Sequence, residues 1–294
     1  MTRRALALLG SAAALLALTS CATFDTSTAA TVNGADIPIS DLDAIRDAIA
    51  AEPATFALGT ENFDDTGAAN GDLTRQALSL LIDNEIILEA LARAGAPVSD
   101  DAMAAAMQSL NASANPVPAG AQQALAYQSA GTAALGALTA PDPASLEDLY
   151  NERPASTGAV CLVIVSASTE DEAIAAQTTL EAGGTVEATD TVQTQDGCTP
   201  IGGLSQAFAG DDISFFLDAA PGAVSRVFPP DASGNTNYQV IQIQTWDDAL
   251  EQFTATVQQQ PGALAKAAAF LDADIAVASE YGRWDRTSQS VVAV

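Results

Sequence analysis

The chain has 294 residues, a formal charge of −27 from 37 acidic against 10 basic side chains, and no histidine. That charge speaks against a nucleic-acid partner, because holding phosphates requires clustered lysine and arginine. The absence of histidine excludes histidine-based zinc sites and every histidine-dependent triad or dyad.

Met1-Thr2-Arg3-Arg4 ahead of the apolar run Ala5 to Ala17 has the form of a secretory signal. A permanent spanning helix needs about 20 apolar residues, so the run reads as a passing segment. Leu18-Thr19-Ser20-Cys21 looks like a bacterial lipobox: an aliphatic residue, two small ones, then the cysteine whose thiol takes a diacylglycerol. The expectation is a leader over 1–20, cleavage before Cys21, and attachment to the membrane through lipid on that residue. Each buried methylene contributes about 0.8 kcal/mol, so two or three acyl chains suffice to hold it there. Residues 21–30 are rich in Thr, Ser and Ala without apolar period and read as a tether.

Asn33-Gly34 between Val32 and Ala35 is a hairpin signal, since both turn positions need positive φ. Ser40 with Asp43 resembles a capping box before the helical face Leu42, Ile45, Ala48, Ile49. From Glu52 to Asn70 the pattern breaks into a loop. Asn62, Asp64, Thr66 and Gly67 imitate half a calcium loop, but its twelfth position is Leu73, where a bidentate carboxylate is required. No metal site is expected. Leu73 to Ala92 is the strongest helix, closed by Gly95 and Pro97; Ser99 caps a second, Asp100 to Leu110. Ala121 to Leu138 and Ser145 to Asn151 are also expected to be helical.

After Pro154 the composition shifts. Val160 to Val165 reads as a buried strand, Glu170 to Leu180 as a helix stopped by Gly183-Gly184, Gly197 to Gly203 as a loop, Ser214 to Ala219 as a short helix, and Tyr238 to Thr245 as a strand. Asp247 to Ala273 is helical with a break at Pro261-Gly262, and Ile275-Ala276-Val277 and Tyr281 to Trp284 look extended. Cys161 and Cys198 fit no CxxC spacing, and in an exported chain they read as a disulfide. Phe208, Phe215, Phe216 and Phe228 are enriched in the middle region. Core is the ordinary role of such residues, with Phe208, Phe215 and Phe216 also candidates for lining a peptide pocket.

The order of these segments resembles the SurA/PrsA-type foldases, in which a helical domain built from both chain ends flanks a parvulin-type peptidyl-prolyl isomerase domain. The likeness rests on Ala30-Thr31-Val32-Asn33-Gly34, on Leu81-Ile82-Asp83-Asn84-Glu85-Ile86-Ile87-Leu88 with Val98-Ser99-Asp100-Asp101, on Pro221-Gly222-Ala223-Val224-Ser225, on Asn237-Tyr238-Gln239-Val240-Ile241, and on the tail Tyr281-Gly282-Arg283-Trp284-Asp285. It implies an α+β fold: a helical domain over 31–154, a parvulin-like domain over 155–246, and a C-terminal helix and strand over 247–294 completing the helical body. It implies that Cys161 pairs with Cys198. It also implies two facing histidines in the isomerase site, and here those positions fall at Ile164 and Gln239; Asp190 and Asp196 are the candidates for a third polar residue.

Prolyl isomerisation has a barrier of about 18–20 kcal/mol and breaks no bond, so a site accelerates it by binding the twisted amide. Ile164 cannot donate a hydrogen bond and Gln239 replaces a histidine only in part. The expected function is therefore a lipid-anchored chaperone for unfolded exported proteins, with a degenerate isomerase domain and no cofactor. An active isomerase and a solute-binding lipoprotein are the alternatives; the second requires two α/β lobes. Cys21→Ser is expected to move the chain from the membrane to the soluble fraction, and metabolic labelling with a fatty acid, followed by fractionation, checks it.

Overall fold

The computed structural model describes residues 27–53, 56, 58–112, 117–207, 212–230 and 236–294. The expected leader, Cys21 and Phe208 lie outside the described residues. The fold is α+β, mainly helical with small antiparallel sheets.

Strands β1 (Thr28–Val32) and β2 (Ala35–Pro38) form a hairpin whose turn residues Asn33 and Gly34 have φ of 51° and 81°. Positive φ at both positions defines the type I′ turn, whose twist suits the flanking strands. Helix α1 (Ile39–Ala51) follows with Pro38 at its N-cap and no side-chain cap. The expected capping box does not form, because Ser40 already lies inside the helix, where its hydroxyl donates to Asp41 Oδ1 at 3.3 Å. Asp43 pairs instead with Arg46 at 2.7 Å. In the loop that follows, Asp64 Oδ1 accepts from the Thr66 and Ala68 amides at 2.8 and 3.0 Å and from the Thr66 hydroxyl. The carboxylate is thus occupied in shaping a turn.

Helix α2 (Gly71–Arg93) is capped by Asn70, whose side chain accepts from the Asp72 and Leu73 amides. Its buried stripe includes Leu73, Ala77, Leu78, Ile82, Ile86, Ile87, Ala90 and Leu91. Ser99 caps α3 (Asp100–Ala112), accepting from the Ala102 amide at 3.2 Å. Helix α4 (Ala119–Gly136) completes the helical layer, and α5 (Glu147–Glu152) leads to the second half of the chain.

There β3 (Ala159–Ala167) lies between β4 (Val192–Pro200) and β5 (Tyr238–Ile243) in an antiparallel sheet. Helix α6 (Glu170–Glu181) begins with a capping box of Thr169 and Glu172. The short helices α7 (Ile201–Ala207) and α8 (Asp212–Asp218) connect β4 towards β5. The end of β4 and the start of α7 replace the loop expected at Gly197 to Gly203. The strand escapes a hydropathy reading because it is an edge: Gln193 to Gly197 are all exposed, and its pairing is carried by backbone hydrogen bonds to β3.

The chain then returns to its beginning. Helices α9 (Trp246–Gln259) and α10 (Pro261–Asp272) precede β6 (Ile275–Val277), which pairs antiparallel with Ala30 to Val32. A final hairpin, β7 (Arg283–Asp285) and β8 (Ser290–Val292), sets Val291 against Ser79 of α2, whose hydroxyl accepts from the Val291 amide at 2.9 Å. One buried apolar cluster runs from Leu78, Ile82 and Ile86 through Phe270 and Leu271 of α10 to Ile241, Ile243 and Phe216. Lys266 of α10 adds an ion pair with Asp83 of α2 at 2.6 Å.

Gly158, just before β3, has φ of 89°, and a Cβ there would come within 2.2 Å of the Leu264 carbonyl oxygen. Gly158→Ala combines left-handed strain with a clash against backbone and is expected to cost about 2–4 kcal/mol. Gly136→Ala, where nothing lies within 4 Å, should be neutral or stabilising by up to about 1 kcal/mol. Urea unfolding of the two variants checks the contrast.

Candidate functional site

Side chains alternate across the β4-β3-β5 sheet, so register decides which can meet. Ile164 stands opposite Ile241, and Gln239 stands opposite Ser166. Ile164 and Gln239 therefore share a face but are offset by two residues. Ile164 packs against the main core, and the Gln239 backbone exchanges hydrogen bonds with Phe228 at 2.8 and 2.9 Å, which closes that edge of β5. Asp196 stands opposite Val163, on the other face, and its carboxylate accepts from Gln252 Nε2 at 2.8 Å. Asp190 is exposed in the connection before β4. The four positions do not form one polar constellation.

Phe216 is fully buried, and Phe215 is half-buried with its ring 5.4 Å from that of Phe216, edge to face. Phe216 has no surface left to offer a peptide. Cys161 and Cys198 face each other in the register and are joined by a disulfide, 37 residues apart in sequence and 3.9 Å between Cα atoms. The bridge ties the polar edge strand to the central one. It lies beside the aromatic cluster of Tyr150, Trp246 and Phe253, whose ring centres are 5.3–5.4 Å apart. Burial pushes the Tyr150 hydroxyl well above its ordinary range, and it donates to the Gln244 carbonyl at 3.2 Å.

A cleft of about 580 Å³ opens where the helical layer meets α5 and α10. Ala90 and Ala94 at the end of α2, Leu138 and Pro141 after α4, Leu146 and Leu149, and Leu264, Ala265 and Ala268 of α10 form its walls. Arg93 is the one charged side chain lining it, and it is paired with Glu89 at 2.8 Å and Asp272 at 2.9 Å. Two of the three hydroxyls lining it are engaged, Thr157 donating to the Pro154 carbonyl at 2.8 Å and Ser156 accepting from Arg153 Nε at 2.6 Å; the third is that of Thr139. No side chain in the cleft is set up as nucleophile, acid or base. What it can do is cover apolar surface, worth about 25 cal/mol per Å² removed from water. The sequence signal for it was alanine at helical spacing, Ala90/Ala94 and Ala265/Ala268, where larger residues would fill the space.

A second cleft, of about 420 Å³, lies between the hairpin, α1, α2 and α4, with Asp36, Asp41 and Glu85 on its walls and no cation. Asn84 Nδ2 donates to the Ala124 carbonyl at 2.9 Å and ties α2 to α4.

No protein-family model matches the chain, and no curated protein matches it significantly. Among solved structures it is similar to one from Campylobacter jejuni, whose title describes the virulence factor PEB4 and the periplasmic protein Cj1289 as structurally related SurA-like chaperones. Identity is 10%, the TM-score is 0.25, and the match covers 86% of this chain and 99% of that one.

Burial raises the Glu85 carboxyl above its ordinary value of 4.5. A raised carboxyl favours the protonated folded state, so its contribution is intact below pH 4.5 and is lost as pH rises through the folded value. Glu85→Gln is expected to raise the melting temperature at pH 7 and to leave it nearly unchanged below pH 4. Equal shifts at both pH values in thermal melts would reject the burial account.

Proposed function

We propose that this chain is a lipid-anchored extracytoplasmic chaperone that binds unfolded segments of exported proteins without chemistry. The observation that carries the reading is the apolar cleft beside α10, in which the one charged side chain among the described residues, Arg93, is already paired within the protein. The leader and Cys21 supply the location, and the foldase-like order of segments is consistent with the task. Export also removes ATP as an energy source, so holding and release depend on equilibrium binding.

The sheet region serves as scaffold in this reading. Ile164 is apolar, Gln239 is offset from it, and Asp196 is on the far face, so these positions are not arranged as one set of donors to a prolyl amide, which supports the scaffold reading. The solute-binding alternative lacks its two α/β lobes, since the named strands among the described residues all pair antiparallel.

Stoichiometric full-length protein is expected to suppress aggregation of a reduced, unfolded client. Ala268→Trp or Ala94→Trp, which fill the cleft from different helices, should each reduce that effect by about half or more at equal helix content by circular dichroism. Suppression unchanged in both variants would remove the cleft from the mechanism. A proline-limited refolding phase should run at its uncatalysed rate with micromolar protein present; acceleration abolished by Gln239→Ala would instead establish the isomerase reading.

A further inference from the structure

With 37 carboxylates available to 10 basic side chains, an unpaired arginine is unexpected in this protein. Arg46, Arg75, Arg93, Arg153 and Lys266 all have ion-pair partners. Arg283 and Arg286 have none among the described residues within ion-pair distance, and both are exposed. They line the same cleft of about 640 Å³ as Arg153, whose own contact to Asp272 is a loose 3.6 Å. Asp274 is the one acidic side chain on its walls. Three arginines thus line one cleft in a strongly anionic molecule, with Asp272 near Arg153 and Asp285 acting on Arg283.

The same cleft exposes a strand edge. β6 pairs with β1 on one side, and among the described residues no strand is hydrogen-bonded to its other edge. The Ala278 amide donates to the Ala29 carbonyl and the Asn33 amide to the Asp274 carbonyl, so residues 274, 276 and 278 bond inward towards β1. By the alternation of an antiparallel ladder, Ile275 and Val277 aim their N–H and C=O groups outward, into the cleft. The Trp284 indole N–H beside them is buried without an acceptor.

We propose that this cleft binds an extended acidic peptide segment, which adds a strand to β6 while carboxylates at alternate positions reach Arg153, Arg283 and Arg286. The open edge supplies main-chain hydrogen bonds, and the arginines supply charge-assisted, bidentate recognition of carboxylate. An anionic membrane surface fits less well, because the rest of the molecule is acidic and would be repelled by it, whereas a peptide meets the cleft alone. The site is separate from the alanine-walled cleft and does not rest on the chaperone reading.

The test uses the full chain at low ionic strength and fluorescence anisotropy of a labelled Val-Glu-Val-Glu-Val-Glu peptide. The expected result is binding that its Val-Lys counterpart does not show and that weakens about tenfold or more in Arg283→Ala/Arg286→Ala. Both arginines are exposed and outside ion-pair distance of any described carboxylate, so that variant is expected to fold. Methylating alternate amides of the peptide should abolish binding if it pairs as a strand, and Ala268→Trp should leave it intact. Equal binding of the Glu and Lys peptides, no loss in the double variant, or no effect of methylation would each overturn the proposal. Loss in Ala268→Trp would place the peptide in the other cleft. Arginine-dependent binding of phosphatidylglycerol vesicles without peptide binding would assign the cleft to headgroups and overturn it equally.

Discussion

Close backbone contact around α10 is the constraint on which the remaining architecture depends. Gly158 lies against the Leu264 carbonyl, and Gly262 lies against the Leu135 carbonyl, where a Cβ would fall 2.1 Å away. Side chains at either place would push the helix off its neighbours. Because they are absent, α10 sits between the helical layer and the start of β3, burying Leu264, Ala267, Ala269, Phe270 and Leu271. One helix from the end of the chain thus joins the core of the first half to the sheet of the second. The strand after it, β6, then reaches β1, and the order of the chain becomes a closed arrangement.

The disulfide does comparable work on the edge strand at the same end of the sheet. β4 is too polar to be held by burial; its exposed run contributes little apolar area, and its pairing depends on β3 alone, since no strand lies on its other side. Joining Cys161 to Cys198 closes a loop with a separation of 37 residues, which the chain-entropy account values at about 4 kcal/mol. That bond permits the edge to stay hydrophilic, and a hydrophilic edge resists pairing with other chains.

What the sequence disclosed follows from how local each cause is. The Asn33-Gly34 turn, the Ser99 cap and the apolar period of α2 depend on neighbours within a few residues, and all three are present. The Ser40 cap was misplaced because Pro38 starts the helix two residues earlier than hydropathy suggests. β4 was hidden because its pairing partners lie far away in sequence, 37 residues at the disulfide, and its own pattern is polar. The cysteines could be matched by chemistry, but the offset between Ile164 and Gln239 depends on strand register, which composition does not encode. The alanine-walled cleft was least visible, since its walls come from α2, the segment after α4, the region of α5, and α10.

In the proposed reading, alanine lining also bears on how a passive binder would release what it holds. A wall of methyl groups presents smooth surface with few deep recesses, so a bound apolar segment gains area burial without the interlocking contacts that make hot spots. Covering about 200 Å² at 25 cal/mol per Å² gives roughly 5 kcal/mol before ordering of the segment is subtracted. The surplus corresponds to weak, rapidly reversed binding. In the proposed extracytoplasmic reading ATP is out of reach and weakness is what permits turnover: a deeper cleft would hold a client more tightly and have no means of letting it go. The proposed lipid anchor would gather many copies on one surface and raise the local concentration of shallow sites, so that retention would come from rebinding and not from the strength of any single contact.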